Sequence, residues 1–257
     1  MKQNLITKIT FCGLLLNGLY GQAQKTNLEV NTTNTVTKIQ PTMYGVFFED
    51  INFAADGGLY AEMIKNRSFE FEAPLMGWEQ PNSDKHSFNT TSGIATTIKA
   101  LENKTNPSFC RVLINDAKGF SMINEGFRGM GIKKDAKYNL SLKAANHNGA
   151  IKKIIIQFID KNKNVLGETT IVPTSNDWKG YTAQFTATQT EAKAQLKITF
   201  EGNGTIDLDM ISLFPEDTWK GRKNGLRKDL VQLLYDVKPG FLRFPGGCIV
   251  EGRTLSD

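Results

Sequence analysis

The sequence has few of the residues from which many catalytic centres are built. It contains two histidines, His86 and His147, and three cysteines. The histidines are far apart in polar stretches, so there is almost no material for a histidine metal site or a Ser-His-Asp triad. Cys12 lies in an N-terminal apolar segment, and we assign Cys110 and Cys248 to different structural units. A disulfide framework is therefore not expected.

Blocks of like charge are also missing. The 31 lysines and arginines outnumber the 26 acidic residues by five, and both signs are scattered through alternating patterns. Without a basic block to follow a phosphate backbone, nucleic-acid binding is not expected. The 257 residues, of which 40% are hydrophobic, suffice for one large domain or two ordinary ones, which excludes global disorder.

The N-terminus has the pattern of an export signal. Lys2 and Lys8 precede an apolar segment, residues 9–16, and residues 21–23 offer small side chains to a signal peptidase. A membrane anchor is the alternative, but the apolar segment is shorter than the roughly 20 residues that span a bilayer. We predict a signal peptide over residues 1–23, no membrane span, and export to the periplasm or the cell exterior.

An apolar run over residues 43–48 ends in two carboxylates, Glu49 and Asp50. A strand that is apolar on both faces is typical of a parallel sheet covered by helices, and barrel enzymes carry their active-site residues at the carboxyl ends of such strands. Glu49 is thus an active-site candidate, with a solvated acidic turn as the alternative. The apolar spacing that follows predicts a helix over residues 59–67.

The middle of the chain has a period of two. Apolar and polar residues alternate clearly over residues 138–144, 154–158, 181–185, 196–200 and 206–210. Such strands, separated by Asn, Gly, Asp and Pro, predict an antiparallel β-sandwich of about eight or nine strands, of the jelly-roll kind. A lone strand is also predicted over residues 28–39.

Helical spacing returns after the sandwich. Asn224 is the predicted N-cap of a helix that residues 238–240 end, and residues 241–244 form a second short buried strand. Strand, helix, insert, helix and strand together predict the first two strands of a (β/α)8 TIM barrel, an α/β fold interrupted by an all-β domain. The predicted units are residues 1–23 (signal peptide), 24–70 (N-terminal strand and first barrel strand-helix), 71–216 (inserted sandwich) and 217–257 (barrel continuation, truncated).

Two segments resemble a known family. They are MYGVFFEDINFAADGGLYAEMIKNRSFE, residues 43–70, and DTWKGRKNGLRKDLVQLLYDVKPGFLRFPGGCIVEG, residues 217–252. Both are similar to the N-terminal part of glycoside hydrolase family 51, the α-L-arabinofuranosidases, in the subgroup with an inserted sandwich like a carbohydrate-binding module. The resemblance implies a retaining hydrolase that removes terminal non-reducing α-L-arabinofuranosyl groups without a cofactor. It places both catalytic glutamates on later barrel strands, so the chain alone is expected to be inactive.

The resemblance also implies roles for three residues. Glu49 matches a carboxylate that hydrogen-bonds sugar hydroxyls, and Cys248 matches a position that lines the sugar subsite. Arg243 resembles an arginine that hydrogen-bonds the nucleophile carboxylate and keeps it ionised. A structural ion pair is the alternative for Arg243, and a small buried residue is the alternative for Cys248.

The sandwich offers a second set of candidates. Trp78, Phe127 and Trp178 could stack against the apolar C–H faces of sugars, with core packing as the alternative for each. Glu70 and Asp209 resemble the carboxylates that help to hold a structural Ca²⁺ in carbohydrate-binding modules of families 4 and 9. Ordinary surface acids would account for them equally well.

Two other functions stay open at this point. One is a non-catalytic carbohydrate-binding protein built on the sandwich, and the other is a different retaining TIM-barrel glycosidase, because a fold does not choose its sugar. The expected partner is an arabinose-containing plant-type polysaccharide or oligosaccharide, such as arabinan or arabinoxylan. Whether the complete enzyme forms a homo-oligomer is left open.

Overall fold

The computed structural model describes residues 26–33, 37–81, 92–100, 104–116 and 119–246. Two compact units are distinguished, Met1–Gln40 and Pro41–Asp257. The described part of the first unit contains neither helix nor strand, and Leu28 and Val30 are exposed. The lone strand predicted over residues 28–39 is therefore wrong in that part, where its apolar side chains have no sheet to join. The predicted signal peptide lies outside the described residues.

The second unit consists mainly of strands. Its elements are β1 (Val46–Phe47), β2 (Trp78–Glu79), β3 (Gly93–Lys99), β4 (Ser108–Ile114), β5 (Phe120–Asn124), β6 (Met130–Ile132), β7 (Lys137–Asn146), β8 (Ile151–Ile159), β9 (Val165–Ile171), β10 (Lys179–Thr186), β11 (Glu191–Gly202), β12 (Gly204–Pro215), helix α1 (Lys228–Val237) and β13 (Leu242–Arg243). In the part of the chain that the structure describes, no helix is long and apolar enough to cross a membrane.

Strands β2 to β12 form two antiparallel sheets. One sheet has five strands in the order β10-β7-β12-β4-β3, and the other has six, β2-β5-β11-β8-β9 with β6 paired to β11. The predicted antiparallel sandwich is confirmed. It has eleven strands in the described residues, because β2 and β6, with two and three residues, are too short to show the alternation that the prediction used.

The hydrophobic core lies between the two sheets. Successive side chains of a strand point to opposite faces, so each sheet contributes one apolar face. Leu140 and Leu142 of β7 are almost fully buried, as are Leu196, Ile198 and Phe200 of β11. Each fully buried side chain of this size contributes about 1.5–3 kcal/mol relative to an exposed one, which explains why the period of two is strictest in these strands.

The chain enters and leaves the sandwich side by side. The Met63 N–H donates to the Leu213 carbonyl at 3.0 Å, and the Ile211 N–H donates to the Arg67 carbonyl at 2.9 Å. The segment before the sandwich therefore runs beside β12, its last strand. As a result, the inserted domain returns the chain to the place where it departed.

The helix predicted over residues 59–67 is wrong, because this segment is extended and then turns. Its backbone N–H groups do not bond four residues back. Those of Met63 and Ile64 donate to the Glu62 carboxylate, and the Met63 N–H is shared with β12. Ile64, whose spacing suggested a helical stripe, points into the sandwich core with 1% of its surface exposed. Asn66, with φ at +55°, turns the chain.

Strands β1 and β13 pair in parallel, with Val46 opposite Leu242 and Phe47 opposite Arg243. This confirms the predicted pairing of strands on the two sides of the insert. The prediction that both strands are buried is wrong for the described residues, since Phe47 and Leu242 are 51% and 65% exposed. The reason is that this sheet has only two strands there, and no described element covers it on both faces.

Helix α1 confirms the predicted helix but begins later. Its N-cap is Arg227, whereas Asn224 lies in the preceding turn with φ at +50°. The helix ends as predicted, because Lys238 adopts the left-handed conformation at φ +51°. Leu233, Tyr235 and Val237 leave an apolar surface of this helix exposed.

Candidate functional site

The carboxyl ends of β1 and β13 form the first candidate site. Glu49 lies two residues beyond β1, and Arg243 is the last residue of β13. The Phe48 N–H donates to the Arg243 carbonyl at 3.0 Å, so the pairing continues to this end. Because the strands are parallel, Glu49 and Arg243 lie at the same edge of the sheet, where α/β proteins place their ligands. Glu49 is half-buried there.

Arg243 is held by an aromatic ring. Its guanidinium carbon lies 4.9 Å from the centre of the Phe47 ring. Among the described residues, the ion pairs found do not include Arg243. A cation on an aromatic face remains charged while its N–H groups stay free to point elsewhere. The assignment of Arg243 to the nucleophile carboxylate stays a prediction.

The turn after β13 brings the backbone close to β1. A Cβ atom placed on Gly246 would lie 1.7 Å from the Phe47 ring, so only glycine fits at this position. Cys248 lies outside the described residues. The assignment of Cys248 to the sugar subsite therefore stays a prediction.

Asp50 stabilises the loop that leaves this edge. Its Oδ1 accepts a hydrogen bond from the Ala55 N–H at 3.0 Å. Side-chain bonds of this kind are typical of aspartates in turns. Asp50 therefore has a structural role beside Glu49.

Trp78 lies in the sandwich core. It is 6% exposed, its ring stacks on Phe69 at 5.7 Å, and its indole N–H donates to the Asn66 carbonyl at 3.2 Å. A ring packed on both sides has no face for a sugar. This placement corresponds to core packing, the alternative considered for Trp78, and not to a surface platform.

Phe127 is half-buried beside a cavity of about 240 Å³. Its ring makes an edge contact with Phe53 at 5.4 Å. A Cβ atom on Gly57 would lie 2.1 Å from the same ring, which shows how tightly the segment before the sandwich packs on it. Phe127 thus has a packing role between these segments, and the predicted sugar contact remains untested.

Trp178 lies on the surface of the sandwich. It is 47% exposed and makes an edge contact with Phe109 at 5.5 Å. It immediately precedes β10, the edge strand of the five-stranded sheet. Of the three aromatic candidates, Trp178 is the one that presents a substantial exposed ring.

Glu62 is a buried carboxyl group that no motif or spacing in the sequence singles out. Its Oε1 accepts hydrogen bonds from the N–H groups of Met63, Ile64 and Leu213 at 3.0, 3.0 and 2.9 Å. Its Oε2 lies 3.7 Å from Nη1 of Arg67. Burial raises the pKa of Glu62, although the backbone hydrogen bonds oppose the shift. A wrongly predicted helix over residues 59–67 concealed this role.

Glu70, which contacts β4, and Asp209 of β12 are near enough for the charge of Glu70 to act on Asp209. Oε2 of Glu70 accepts from Oγ of Ser108 at 2.9 Å, and Oδ2 of Asp209 accepts from Nδ2 of Asn106 at 2.8 Å. Burial raises the pKa of Asp209, and the Glu70 charge contributes to the shift. The described residues contain no group of three or more acidic, histidine or cysteine side chains suited to a metal. The Asn106 group that meets Asp209 is an N–H donor, so the assignment of calcium to this pair stays a prediction.

Cys110 is a free, fully buried thiol on β4. Burial raises its pKa well above the ordinary value, and the negative charge of Asp207 adds to the effect. A thiol in this state is neither a nucleophile nor a metal ligand at neutral pH. Cys110 is therefore a packing residue.

Comparisons with known proteins agree with these features. The chain is 36% identical over 227 residues to the extracellular exo-α-L-arabinofuranosidase of Streptomyces chartreusis, covering 85% of this chain and 25% of that protein. It is 32% identical over 242 residues to α-L-arabinofuranosidase 1 of Arabidopsis thaliana, covering 90% and 35%. A solved GH51 α-L-arabinofuranosidase with bound arabinose superimposes with a TM-score of 0.74 at 27% identity, over 87% of this chain and 37% of that one. No protein-family model matches the chain.

The chain thus resembles glycoside hydrolases in sequence and in fold. The particular relatives are α-L-arabinofuranosidases, and the resemblance to glycoside hydrolase family 51 seen in the sequence is confirmed. The chain spans 25% to 39% of the lengths of the curated relatives that it matches.

Proposed function

We propose that this chain is part of an exported, retaining α-L-arabinofuranosidase that removes terminal non-reducing arabinofuranosyl groups from arabinan or arabinoxylan. The observation that carries the proposal is the parallel pair β1 and β13, which brings Glu49 and Arg243 to one edge in a homologue of arabinofuranosidases. Export is supported by the charged and apolar pattern over residues 1–23.

The residues of this edge would act by positioning. The two oxygens of Glu49 would accept hydrogen bonds from sugar hydroxyls, and Cys248 would line the same subsite. The fork of Arg243 would hold the nucleophile carboxylate in its ionised form. In a retaining glycosidase that carboxylate lies about 5 Å from the acid/base carboxyl. We place both of these groups outside the 257 residues.

Because the proposed residues of this chain only bind and position, we expect that the purified chain does not hydrolyse aryl α-L-arabinofuranosides, whereas the complete enzyme does. The reason is that binding groups alone leave the displacement at the anomeric carbon without a nucleophile or a proton donor. Release of the aryl group measures the activity of the purified chain and that of the complete enzyme. Turnover by the chain equal to that of the complete enzyme would contradict the proposal.

The competing functions predict different results. Another retaining glycosidase would prefer an aryl xyloside or glucoside to the arabinofuranoside in the same assay. A non-catalytic carbohydrate-binding protein would bind polysaccharide and hydrolyse none of the three substrates. The exposed ring of Trp178 is the observation that favours a carbohydrate-binding protein as the second candidate.

We also propose that Glu70 and Asp209 hold a structural Ca²⁺. Adding calcium to the chelated protein is then expected to raise its Tm, because a ligand at 100 times its Kd stabilises the folded state by about 2.7 kcal/mol. Differential scanning calorimetry with calcium and with chelator measures the effect. Asp209→Asn should abolish the response. Asp217→Asn, a change at an exposed carboxylate paired with Lys228, should retain it, and equal Tm values for the parent chain would contradict the proposal.

A further inference from the structure

The outer face of the five-stranded sheet carries an aromatic and polar cluster. In β4 the side chains of Cys110 and Val112 are buried in the core, so those of Phe109 and Arg111 point outward. Asp207 of β12 lies directly opposite Arg111 in the antiparallel register. We call the group of Phe109, Arg111, His147, Trp178 and Asp207 the outer-face cluster.

Asp207 fixes the polar groups of the outer-face cluster. Its two oxygens accept hydrogen bonds from Nε and Nη2 of Arg111, both at 2.7 Å. Nε2 of His147 also lies 2.8 Å from Oδ2 of Asp207. Asp207 is only 3% exposed, while the side chains of Arg111 and His147 are 36% and 38% exposed. The buried carboxylate therefore holds two polar side chains that still reach the surface.

The aromatic part adjoins these fixed groups. The guanidinium carbon of Arg111 lies 5.6 Å from the centre of the Phe109 ring, and the Phe109 ring meets the Trp178 ring edge-on. The side chains thus form a continuous series, from an exposed indole through a half-buried phenyl ring to a fixed guanidinium. Rigid aromatic surface next to pre-oriented hydrogen-bond donors is the composition of a ligand site.

A polar depression continues along the same face. Asn139 and Ser141 of β7 and Thr182 and Gln184 of β10 line a depression of about 410 Å³. Nε2 of Gln184 donates to Oδ1 of Asn139 at 2.8 Å, so these side chains are also held in place. The seven residues from Trp178 to Gln184 span roughly 20 Å of extended chain, which gives the face the length for several units of a polymer.

The charges at the centre of the outer-face cluster are balanced. The bidentate contact neutralises Arg111 with Asp207, and Lys143 lies close enough to Asp209 to lower the pKa of that carboxyl group. An acidic ligand would therefore find no uncompensated cation at the centre of the outer-face cluster. This balance favours a neutral ligand that is rich in hydroxyl groups.

We propose that the outer-face cluster binds the pyranose backbone of a neutral polysaccharide, at a site separate from the edge that carries Glu49 and Arg243. The flat C–H face of a pyranose ring would cover the exposed indole of Trp178, and Arg111 and His147 would contact ring hydroxyls. A puckered furanose ring has a smaller flat apolar face. The expected ligand is thus a xylan-type backbone and not linear arabinan. The expectation of xylan and not arabinan rests on the proposed function. The binding of a neutral polysaccharide by the outer-face cluster does not.

The test is affinity electrophoresis of the full chain in gels that contain neutral xylan or linear arabinan. We expect xylan to retard the parent chain, and Trp178→Ala to weaken this interaction about tenfold, as for other central aromatic anchors. Tyr235→Ala is the matched control, because Tyr235 is an exposed aromatic residue on α1, outside the sandwich. Xylan that fails to retard the parent chain, equal retardation of parent and Trp178→Ala, equal weakening by Tyr235→Ala, or stronger retardation by arabinan would each overturn the proposal.

A second variant tests the polar part. Asp207→Asn is expected to weaken xylan retardation at least threefold, because the amide cannot accept from Arg111 and His147 at once on both oxygens. Circular dichroism and thermal unfolding establish that each variant is folded. Should Asp207→Asn fail to fold, Arg111→Gln serves in its place with the same expected loss. Retardation equal to that of the parent chain would contradict the role of these groups.

Enzymatic assays separate this site from the proposed function. In the complete enzyme, Trp178→Ala should leave kcat/KM for an aryl arabinofuranoside unchanged and lower the rate on arabinoxylan. Loss of the aryl activity would overturn the separation of the two sites. If the parent enzyme has no arabinofuranosidase activity but the chain still binds xylan through Trp178, the proposed function fails and this proposal stands.

Discussion

Replacing Glu62 by alanine is expected to lower the free energy of unfolding by about 3 kcal/mol. The variant removes an acceptor of three N–H groups, those of Met63, Ile64 and Leu213. The Met63 N–H keeps its bond to the Leu213 carbonyl, so two donors, those of Ile64 and Leu213, lose their acceptor. Each buried donor without a partner costs about 1–3 kcal/mol, and relief of the buried carboxyl group recovers part of the total. Urea unfolding, followed by tryptophan fluorescence, measures the change as a lower midpoint at an unchanged slope.

Two variants serve as controls for this prediction. Glu62→Gln keeps an oxygen that accepts the same three N–H groups, so its stability should lie within about 1 kcal/mol of the parent chain. Glu201→Ala removes an exposed carboxylate of β11, and surface changes of this kind stay within about 0.5 kcal/mol. Equal midpoints for Glu62→Ala and Glu201→Ala would show that the carboxyl group does not hold the segment to β12.

The pH dependence of the free energy of unfolding, compared between Glu62→Gln and the parent chain, gives the sign of the contribution of the Glu62 charge. Burial raises the pKa of Glu62 above its ordinary value of 4.5, so the folded state binds this proton more tightly than the unfolded state. The resulting stability is complete below 4.5 and is lost as pH rises through the folded-state pKa. Relative to the parent chain, Glu62→Gln should therefore become more stable as pH rises from 4.5. A difference that does not change with pH would contradict this.

Replacing Glu49 by alanine in the complete enzyme is expected to lower kcat/KM for an aryl arabinofuranoside by about 100-fold. A charged acceptor contributes about 1.5–3 kcal/mol per hydrogen bond, and in the proposed function the half-buried carboxylate at the end of β1 accepts from sugar hydroxyls through two oxygens. Glu49→Gln retains one acceptor and should lose about tenfold. Initial rates over a range of substrate concentrations give kcat and KM separately, and these show whether ground state or transition state loses more.

The neighbouring carboxylate provides the control for Glu49. Asp50→Asn keeps a side-chain oxygen that accepts the hydrogen bond from the Ala55 N–H in the loop. The kcat/KM of this variant should therefore remain within about threefold of the parent enzyme. Thermal unfolding of all three variants separates loss of binding from loss of folding. A Glu49→Ala enzyme with the activity of Asp50→Asn would remove Glu49 from the sugar subsite.

The sandwich could be predicted because its strands are half-buried on a strict period of two. Leu196, Ile198 and Phe200 show this period in the letters alone, and all three lie in the core. The same rule failed for Trp78–Glu79, since two residues cannot show a period. The apolar spacing of residues 59–67 wrongly predicted a helix. This segment is extended, buries Ile64 and bonds to β12, so it has no regular period of its own.

The candidate sites also differ in how far the sequence alone could predict them. The carboxylate at the end of β1 could be predicted, because the end of an apolar strand is visible in the sequence. The outer-face cluster could not, since Arg111 and Asp207 are separated by 96 positions and meet only through the register of β4 and β12. Alternation shows which face a side chain occupies, but only the register shows its neighbour.

The side-by-side entrance and exit of the sandwich affect the order in which the chain folds. Val46 and Leu242 pair across about 200 residues, a loop whose closure is entropically costly and slow. Once the sandwich has formed and Met63 lies beside Leu213, the loop that remains to be closed is only about 45 residues long, which lowers its entropic cost by roughly 1 kcal/mol. Formation of the sandwich before the pairing of β1 with β13 therefore lowers the entropic cost of bringing these two strands together.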